Sequence, residues 1–525
     1  MAEEYLVLMD TDHIHEYVFG TGELKEIRGG SLLLAEINER ETVSLLPKTT
    51  WHIARGGGLI TILQNREAAE QLIADVRQLY FTRTASGSVT GISVPMNARE
   101  FSDVLAQAQS KLWQAKRQRY LSLEKDEFVP WQAGTGPLLQ RCRSCGKYPA
   151  VRPDTDRQPL CVSCRNKRLK ADAEKVSMTS GTWRESVSAQ VKFWKMAREL
   201  QQNRWTRACL PPDDLGELGE LSSPQNFLGL IYADGNEISK TLVRLRTKAS
   251  IKLFSEAVEN ALVSALCLSI DKHLEPRRKK QPFLPVLLGG DDLVLIVVAD
   301  AALQIANDLC AQFPFLLQEK IKENMGTLGS SDDGSLRELL SSDKQITLSA
   351  GVAVTKAKSP IFATVALAEQ LCRSAKRRAS EKSKSAVDFH FVGSSAVDLE
   401  SARGAAYERQ DGVDRFSLTA RPYVAGSTLE ALLETPAILR QAEFPRNKLA
   451  TLRQLTRITK DVCTDEFGWT YRQLDRPHQD ILRERLVALA GVPPPDLFRQ
   501  VRTHYYESPL LDLVEVCQFM WKEGR

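Results

Sequence analysis

Two adjacent aspartates at the tip of a predicted hairpin are the residues of this sequence best suited to bind divalent cations. Asp291 and Asp292 follow two glycines in LPVLLGGDDLVLIVV, residues 284–298, where apolar runs flank a four-residue turn. This pattern predicts a buried β-hairpin with both carboxylates at its turn. Neighbouring carboxylates repel each other and lose solvation there, and a divalent cation relieves both effects. The alternative is an ordinary acidic turn, because Gly-Asp turns are common.

A third aspartate lies upstream in LGLIYADGNEISKTL, which begins at Leu228. A strand is predicted up to Ala233, so Asp234 stands at its end, and a turn and a helix follow. An aspartate at a strand end, then a helix, then an acidic hairpin is the layout of a palm-type nucleotidyl cyclase or polymerase. In such enzymes two metal ions about 4 Å apart contact the attacking hydroxyl, the α-phosphate and the leaving pyrophosphate. We therefore expect Asp234, Asp291 and Asp292 to be metal ligands on two adjacent strands.

Four of the ten cysteines have the spacing of a zinc ribbon. Cys142, Cys145, Cys161 and Cys164 form C-x2-C-x15-C-x2-C, in which two knuckles complete a tetrahedral site. Four cysteines leave no open coordination position, so the predicted zinc is structural. Two redox-active dithiols are the alternative, which a reducing cytoplasm disfavours.

Length and composition are those of a multidomain globular protein. The chain has 525 residues, 43% of them hydrophobic and 26% charged, with a formal net charge of +4. This length predicts about three or four domains. No run of eighteen apolar residues and no basic N-terminal leader are found, so we expect a cytoplasmic protein without membrane association. The net charge is too small to identify a nucleic-acid-binding protein.

The N-terminal part repeats the pattern of the central part. YLVLMDTDHIHEYVFG aligns with FLGLIYADGNEISKTL, which places Asp12 over Asp234, and TTWHIARGGGLITIL aligns with FLPVLLGGDDLVLIV. Gly57 and Gly58 then occupy the places of the hairpin aspartates, so the first copy lacks the carboxylate pair. We expect it to be a scaffold that also offers a glycine-bordered surface to a nucleotide. Between strand and hairpin, RGGS at 28–31 is predicted to open a helix whose amides can receive an anion.

Hydrophobic periodicity predicts the remaining elements of the second copy and of the C-terminal region. A helix from Ala301, a polar and mobile insertion near 329–343, a strand at 345–354 and a helix ending in LCRSAKRRASE are predicted. Lys376 projects from the end of that helix. From about 405 onward the pattern predicts a mostly helical domain. His13 and His15, which flank Ile14 after the first strand, could be ligands, but the segment is interpreted as a surface turn.

These motifs, in this order, resemble the large polymerase/cyclase subunit of type III CRISPR effector complexes, the cyclic-oligoadenylate synthase family. The resemblance rests on RGGS and GGG, the four cysteines, YADGNEIS and GGDD, LSAGVAV and LCRSAKRR, and it spans roughly residues 1–400. It implies an α/β (α+β) fold with two ferredoxin-like palm domains related to GGDEF cyclases. The expected domains are palm 1 (1–115), a zinc-ribbon and helical linker domain (116–220), the catalytic palm 2 (221–400) and a C-terminal helical domain (401–525).

The resemblance also implies site residues and cofactors. Asp234, Asp291 and Asp292 would bind Mg2+ or Mn2+, while Gly289 and Gly290 would approach the nucleotide. Ser349 and Lys376 stand where the family has a strand serine and a phosphate-facing lysine, and Ser31 where palm 1 contributes to the second ATP site. Asn236 replaces a further aspartate of many relatives, and would bind a metal weakly or a substrate hydroxyl. ATP would be polymerised into cyclic oligoadenylate, with guide RNA and target RNA bound through CRISPR backbone and small subunits.

Many relatives begin with an HD-type nuclease domain. No His-Asp dipeptide occurs in this sequence, and its seven histidines form no nuclease-like cluster. We therefore expect no HD nuclease activity. Two other functions stay open from the sequence: a free-standing antiviral palm cyclase that needs no guide RNA, and a non-catalytic scaffold that binds RNA and partner subunits.

Overall fold

The structure is a computed structural model that describes most of the chain. The described residues are 3–96, 100–124, 140–153, 158–180, 182–202, 204–205, 209–326, 334–342, 345–393, 399–455 and 460–520.

The N-terminal unit, palm 1, is an antiparallel four-stranded sheet with helices packed against it, in the strand order β2-β3-β1-β4. Apolar side chains of β1 are fully buried against these helices, which explains its continuous hydrophobic run. The strands are β1 (Tyr5–Asp12), β2 (His52–Arg55), β3 (Gly58–Leu63) and β4 (Ser88–Pro95), and the helices are α1 (Ile14–Phe19), α2 (Leu24–Glu36), α3 (Thr42–Ser44), α4 (Arg66–Thr84) and α5 (Phe101–Glu124).

A linker region follows palm 1 and contains the four cysteines. Its elements are the two short strands β5 (Arg152–Pro153) and β6 (Pro159–Leu160), and the helices α6 (Val162–Ser180), α7 (Ala189–Glu199) and α8 (Leu215–Glu220). The expected boundary at residue 115 falls inside α5, which continues to Glu124 and packs against β1 and β4 of palm 1. Palm 1 therefore extends past the predicted boundary.

The central unit, palm 2, has the same core order as palm 1, β8-β9-β7-β10, within a six-stranded sheet. It consists of β7 (Phe227–Gly235), α9 (Ile238–Arg244), α10 (Lys248–His273), β8 (Phe283–Gly289), β9 (Asp292–Val298), α11 (Ala302–Met325), α12 (Ser335–Ser341), β10 (Leu348–Lys356), α13 (Ile361–Lys382) and β11 (Ala386–Phe391). The predicted hairpin and the flanking strand and helix are confirmed. The insertion expected to be mobile contains α12, with Leu336 buried; residues 327–333 and 343–344 lie outside the described residues.

The described part of the C-terminal region is mostly helical, as the periodicity predicted, but it also contains five short strands that the periodicity did not indicate. Its elements are α14 (Leu399–Tyr407), β12 (Glu408–Asp411), β13 (Asp414–Ser417), β14 (Tyr423–Val424), α15 (Thr428–Gln441), α16 (Arg446–Leu455), α17 (Lys460–Arg472), α18 (Arg476–Ala490), β15 (Arg499–Arg502), β16 (Tyr505–Glu507) and α19 (Leu510–Met520). Four strands form a second sheet, β12-β13-β16-β15, and β14 extends the sheet of palm 2. These strands are too short to produce a clear alternation in the sequence.

The register of the two palms corrects the alignment of their first strands. In palm 1, Asp10 pairs with Gly58 across the sheet. In palm 2, the ladder of β7 and β9 ends with the pair of Ala233 and Leu293, so Asp234 and Asp292 occupy the next position along the two strands. Asp10, and not Asp12, therefore corresponds to Asp234. The two strands differ by two residues in register, which a sequence alignment without gaps cannot detect because each shifted residue keeps its face.

The prediction that the RGGS segment opens a helix is wrong, because α2 already begins at Leu24. The backbone amides of residues 28–31 are therefore inside the helix and are unavailable to an anion. The glycines instead allow close packing against α6. A Cβ atom on Gly29 would overlap the carbonyl oxygen of Lys167.

One helix in the described part of the chain, Lys248–His273, is long and apolar enough to cross a membrane. Most of its apolar window, 78%, is buried inside the structure. It is α10, the helix that covers the sheet of palm 2 beside α11, and a core helix passes the same test of length and composition.

Replacing Gly351 should loosen the packing of α13 on palm 2. A Cβ atom at Gly351 would overlap the carbonyl oxygen of Ala368 and the amide of Cys372, both backbone atoms of α13. We expect Gly351→Ala to lower the free energy of unfolding by about 1–3 kcal/mol, measured by urea denaturation. Gly404→Ala is the control, because open space surrounds Gly404 in a helix. Equal stability of the two variants would contradict this packing.

Candidate active site between two palms

The three predicted metal ligands come together at one edge of the palm 2 sheet. Asp234 is the residue before last in β7, Asp292 begins the neighbouring strand β9, and Asp291 lies in the hairpin turn between β8 and β9. A carboxylate oxygen of Asp291 lies 2.9 Å from the point that a Cβ atom of Gly235 would occupy. Only glycine at 235 therefore lets Asp291 approach the end of β7. The sequence placed these carboxylates on adjacent strands, and the structure has them there.

Lys376 faces the same carboxylates from α13. Its Nζ donates to Oδ2 of Asp234 at 2.5 Å and to the carbonyl oxygen of Gly235 at 3.3 Å. Burial lowers the pKa of Lys376, but the attraction of Asp234 outweighs that effect and raises it overall. Lys376 is thus a charged group at the mouth of the acidic site.

The two hairpin carboxylates are destabilised in their charged form. Burial raises the pKa of Asp291 to about 6, with repulsion from Asp234 as the next cause. Burial also raises the pKa of Asp292 well above its ordinary value, again with Asp234 as the second cause. A cation bound here would offset both effects, because it supplies the opposite charge that the buried carboxylates lack.

The other predicted residues of palm 2 surround these carboxylates. Two of them, Ser349 and Asn236, hold the strands in place and do not face the site. Gly290 has a positive φ of 62°, which the tight turn requires, and Gly289 precedes it at the end of β8. Ser349 pairs with Asp234 on β10 but is fully buried. Its hydroxyl bonds the amide of Asn236 at 2.9 Å, and the Asn236 amide also donates to Thr347. Ser349 and Asn236 therefore fix the end of β7 against β10.

Ser31 of palm 1 lies across from the palm 2 hairpin. Its hydroxyl donates to the carbonyl oxygen of Val286 on β8. It also lines a cavity of about 560 Å3 between the palms, here named the α2 cavity, together with Asn38, Gly289 and Asp292. The structure therefore brings the predicted palm 1 residue to the palm 2 hairpin.

His13 and His15, interpreted from the sequence as a surface turn, also line the α2 cavity. The ring of His15 packs edge-on against Tyr232, and its Nδ1 lies 3.9 Å from a carboxylate oxygen of Glu369 on α13. Burial lowers the pKa of His15, against the opposing effect of Glu369. No spacing in the sequence indicates this group, because its partners come from the other palm.

The palms meet turn to turn, and charged residues surround that contact. A Cβ atom on Gly290 would lie 3.2 Å from the Cα atom of Gly56 in the palm 1 turn. Next to it, Lys192 of α7 bonds Glu39 of palm 1 at 2.6 Å and Glu259 of palm 2 at 2.7 Å. Lys192 thereby joins all three regions beneath the hairpin.

The four predicted zinc ligands form one cluster. Their sulfur atoms all lie within 4.8 Å of one another, and the Sγ atoms of Cys145 and Cys161 are 3.8 Å apart. A tetrahedral zinc with Zn–S bonds of about 2.3 Å requires S–S distances of about 3.8 Å. The cluster therefore fits a structural zinc ion. Among the described residues it is the only group of three or more such ligands within that distance, so the aspartates are more widely spaced.

The cysteine cluster is packed onto the helix that carries Ser31. Glu26 of α2 is fully buried and accepts from Nε of Arg168 at 2.6 Å and from the hydroxyl of Ser144. Ser144 lies within the first cysteine knuckle, and Arg168 follows the second on α6. The basic side chains of Lys167 and Arg168 on α6 are thus buried.

Comparison with known proteins agrees with this architecture. Residues 227–386 match the family model described as Cas10/Cmr2, second palm domain. No curated protein matches the chain in sequence. The matched residues contain Asp234, Asp291, Asp292 and Lys376, so the candidate site lies within the matched domain.

Solved structures of Csm1 share the fold of the whole chain. A Csm1-Csm4 cassette in complex with pppApApA has a TM-score of 0.59 at 13% identity over 99% of this chain and 69% of that chain. A cassette in complex with cA4 has a TM-score of 0.56 at 13% identity over 99% and 70%. Csm1 of T. onnurineus has a TM-score of 0.52 at 14% identity over 100% and 70%.

The chain thus contains a second palm domain of the Cas10/Cmr2 type within a Csm1-like fold, which confirms the predicted resemblance to a Cas10-like large subunit. At these identities the structural comparisons establish the fold alone. A palm of this type supports a nucleotidyltransferase or cyclase in general.

Divalent cations should bind more weakly as the pH falls through about 6, because Asp291 then becomes protonated. We expect the rise in melting temperature caused by Mn2+ to be large at pH 7.5 and small at pH 5.5. Asp291→Ala with Asp292→Ala should remove this rise at both pH values. A shift independent of pH in the wild type would contradict a carboxylate site.

Loss of the cysteine cluster should destabilise α2 as well as the ribbon itself. Cys161→Ser with Cys164→Ser should remove the single zinc ion expected per chain and speed amide hydrogen exchange in α2, since Glu26 loses its anchored partners. Metal analysis and exchange mass spectrometry measure the two effects. Cys209→Ala, at a buried thiol outside the cluster, should change neither. Unchanged exchange in α2 after zinc loss would contradict this coupling.

Proposed function

We propose that this protein is a nucleotidyltransferase that converts ATP into cyclic oligoadenylate at the interface of its two palms. The observation that carries the proposal is the convergence of Asp234, Asp291, Asp292 and Lys376 at one sheet edge facing palm 1. Paired carboxylates with a neighbouring lysine suit phosphoryl chemistry, because both the metal ions and the phosphates need fixed opposite charges.

Each step has a candidate group in the chain. A ribose hydroxyl of one ATP attacks the α-phosphate of another, so that an O–P bond forms, the bond to pyrophosphate breaks and the hydroxyl loses its proton. Asp234, Asp291 and Asp292 would hold Mg2+ or Mn2+, which lowers the pKa of that hydroxyl and neutralises the leaving group when bound. Lys376, which bonds Asp234 in the structure, would bind the triphosphate of ATP in place of this carboxylate. Gly289 and Gly290 let the nucleotide approach the backbone.

The space around the hairpin supports the use of two nucleotides. The α2 cavity of about 560 Å3 contains Asp292 and Ser31. A second cavity of about 460 Å3 contains Gly290 and Asp291. Each has the size of a typical small-molecule site, and both border the same acidic turn.

The biological setting we propose is a type III CRISPR effector complex in the cytoplasm. Solved structures with this fold include Csm1-Csm4 cassettes in complex with pppApApA and with cA4. By analogy, the chain would bind backbone and small subunits, and through them guide RNA and target RNA, with synthesis triggered by target RNA. Purification with bound RNA and repeat-type subunits would support this setting over a free-standing cyclase.

Asp291→Ala with Asp292→Ala should abolish synthesis of oligoadenylate from ATP and Mn2+, because the metal ligands are lost while the fold stays. We expect the rate of synthesis to fall at least about a thousandfold. Chromatography of the products, in the presence and absence of target RNA, measures this fall. Asp465→Ala with Asp480→Ala, at exposed helix positions, is the matched control and should keep full activity.

Two outcomes would count against the proposal. Full turnover by the hairpin variant would mean that the metal ligands are assigned to the wrong residues. No product from the wild-type protein, with or without target RNA, would favour a non-catalytic scaffold.

A further inference from the structure

The second cavity, here named the α5 cavity, is built from both palms and is largely apolar in its floor. Palm 2 supplies Leu242 of α9, Phe254 and Val258 of α10, and the hairpin residues Gly290 and Asp291. Palm 1 covers it with α5. An apolar chamber that opens beside an acidic phosphate-transfer site suits a flat, uncharged group attached to phosphates.

One residue of α5 stands out in this cavity because of its exposure. Trp113 lines the cavity with 58% of its surface exposed, although tryptophan has the largest apolar side chain of any residue type. The guanidinium of Arg117, one helical turn later, lies 4.6 Å from the centre of its ring. An exposed indole with an adjacent cation is a surface on which a nucleobase can stack.

The neighbourhood of Trp113 also carries the charge that phosphates require. Lys116, three residues later, donates to Oδ2 of Asp10 at 2.5 Å. This pair repeats the pair of Lys376 with Asp234 in palm 2, at the corresponding strand position and on the corresponding helix. Palm 1 has therefore kept the lysine and the strand aspartate of the repeat while losing the hairpin carboxylates.

The aromatic side chain is a feature of palm 1 alone. The residue three before Lys376 on α13 is Arg373, which is paired with Glu369. The two helices thus agree in the lysine and differ in the residue one turn before it. The difference falls where α5 faces the α9 and α10 side of palm 2.

We propose that the α5 cavity is a nucleobase pocket in which Trp113 of palm 1 stacks on the base of a nucleotide whose phosphates point toward the Gly290–Asp291 turn. The proposal rests on the proposed function, since it assigns a base to one of the two nucleotides used there. Stacking tolerates every base, so Trp113 contributes affinity and position rather than a choice among bases. Because Trp113 belongs to palm 1 and the turn belongs to palm 2, the pocket is complete only when the two palms are docked.

The test is equilibrium binding of a non-hydrolysable ATP analogue with Mg2+ to the full chain, together with steady-state kinetics on ATP. Trp113→Ala should weaken binding at one of two sites about tenfold or more, the effect of losing one base stack, and raise KM with kcat changed less than threefold. Trp113→Phe should stay within about threefold of the wild type, because it keeps an aromatic face. Trp113→Leu should resemble Trp113→Ala, because leucine is apolar but has no aromatic face.

Trp469→Ala is the matched control, since that indole is also exposed, at 55%, but lies on α17 of the C-terminal region. Wild-type affinity and KM in both Trp113→Ala and Trp113→Leu would overturn the pocket, even if the protein makes oligoadenylate. A fall in kcat at unchanged KM would overturn it as well. Weakened analogue binding in a protein that makes no product would uphold the pocket and overturn the proposed reaction instead.

Discussion

The close approach of two hairpin turns is the constraint on which the rest of the site depends. Gly56 of palm 1 and Gly290 of palm 2 both have positive φ, and a side chain on either would meet the backbone of the other turn. Because the turns touch, the palms leave two separate cavities, one beside α2 and one beside α5. The α2 cavity borders Asp292 and the α5 cavity borders Asp291.

The repeat explains how one palm can be acidic and the other not. Both keep a strand aspartate bound to a helix lysine, Asp10 with Lys116 and Asp234 with Lys376. Such a pair is electrically balanced and stable without a ligand. The hairpin carboxylates of palm 2 are different, because burial and repulsion from Asp234 oppose their ionisation in the absence of a cation. Two facing pairs of carboxylates would double that repulsion across the turn contact, and glycines at 57 and 58 avoid it.

Much of this site could be predicted because its chemistry is local in the sequence. The GGDD hairpin, the strand end at Asp234 and the four cysteines each form a short run with a fixed spacing. Prediction from the sequence failed for the features whose role depends on tertiary packing. RGGS at 28–31 has the composition of a helix start, but its glycines serve contact with Lys167 from the ribbon. His15 and Trp113 belong to no motif, since their relevance arises from cavities that two distant segments enclose. The register that selects Asp10 over Asp12 is likewise a property of the sheet.

The amino-acid sequence by itself determined the palm repeat, the acidic hairpin, the zinc-ligand spacing and the asymmetry between GGG and GGDD. These follow from side-chain type and hydrophobic period, which act over a few residues. Only the tertiary structure decided that the two turns touch, that Glu26 anchors the ribbon to the helix of Ser31, and that α5 covers the palm 2 hairpin from the side opposite α2. Those contacts join residues far apart in the chain, and their energies depend on shape and burial that no local pattern encodes.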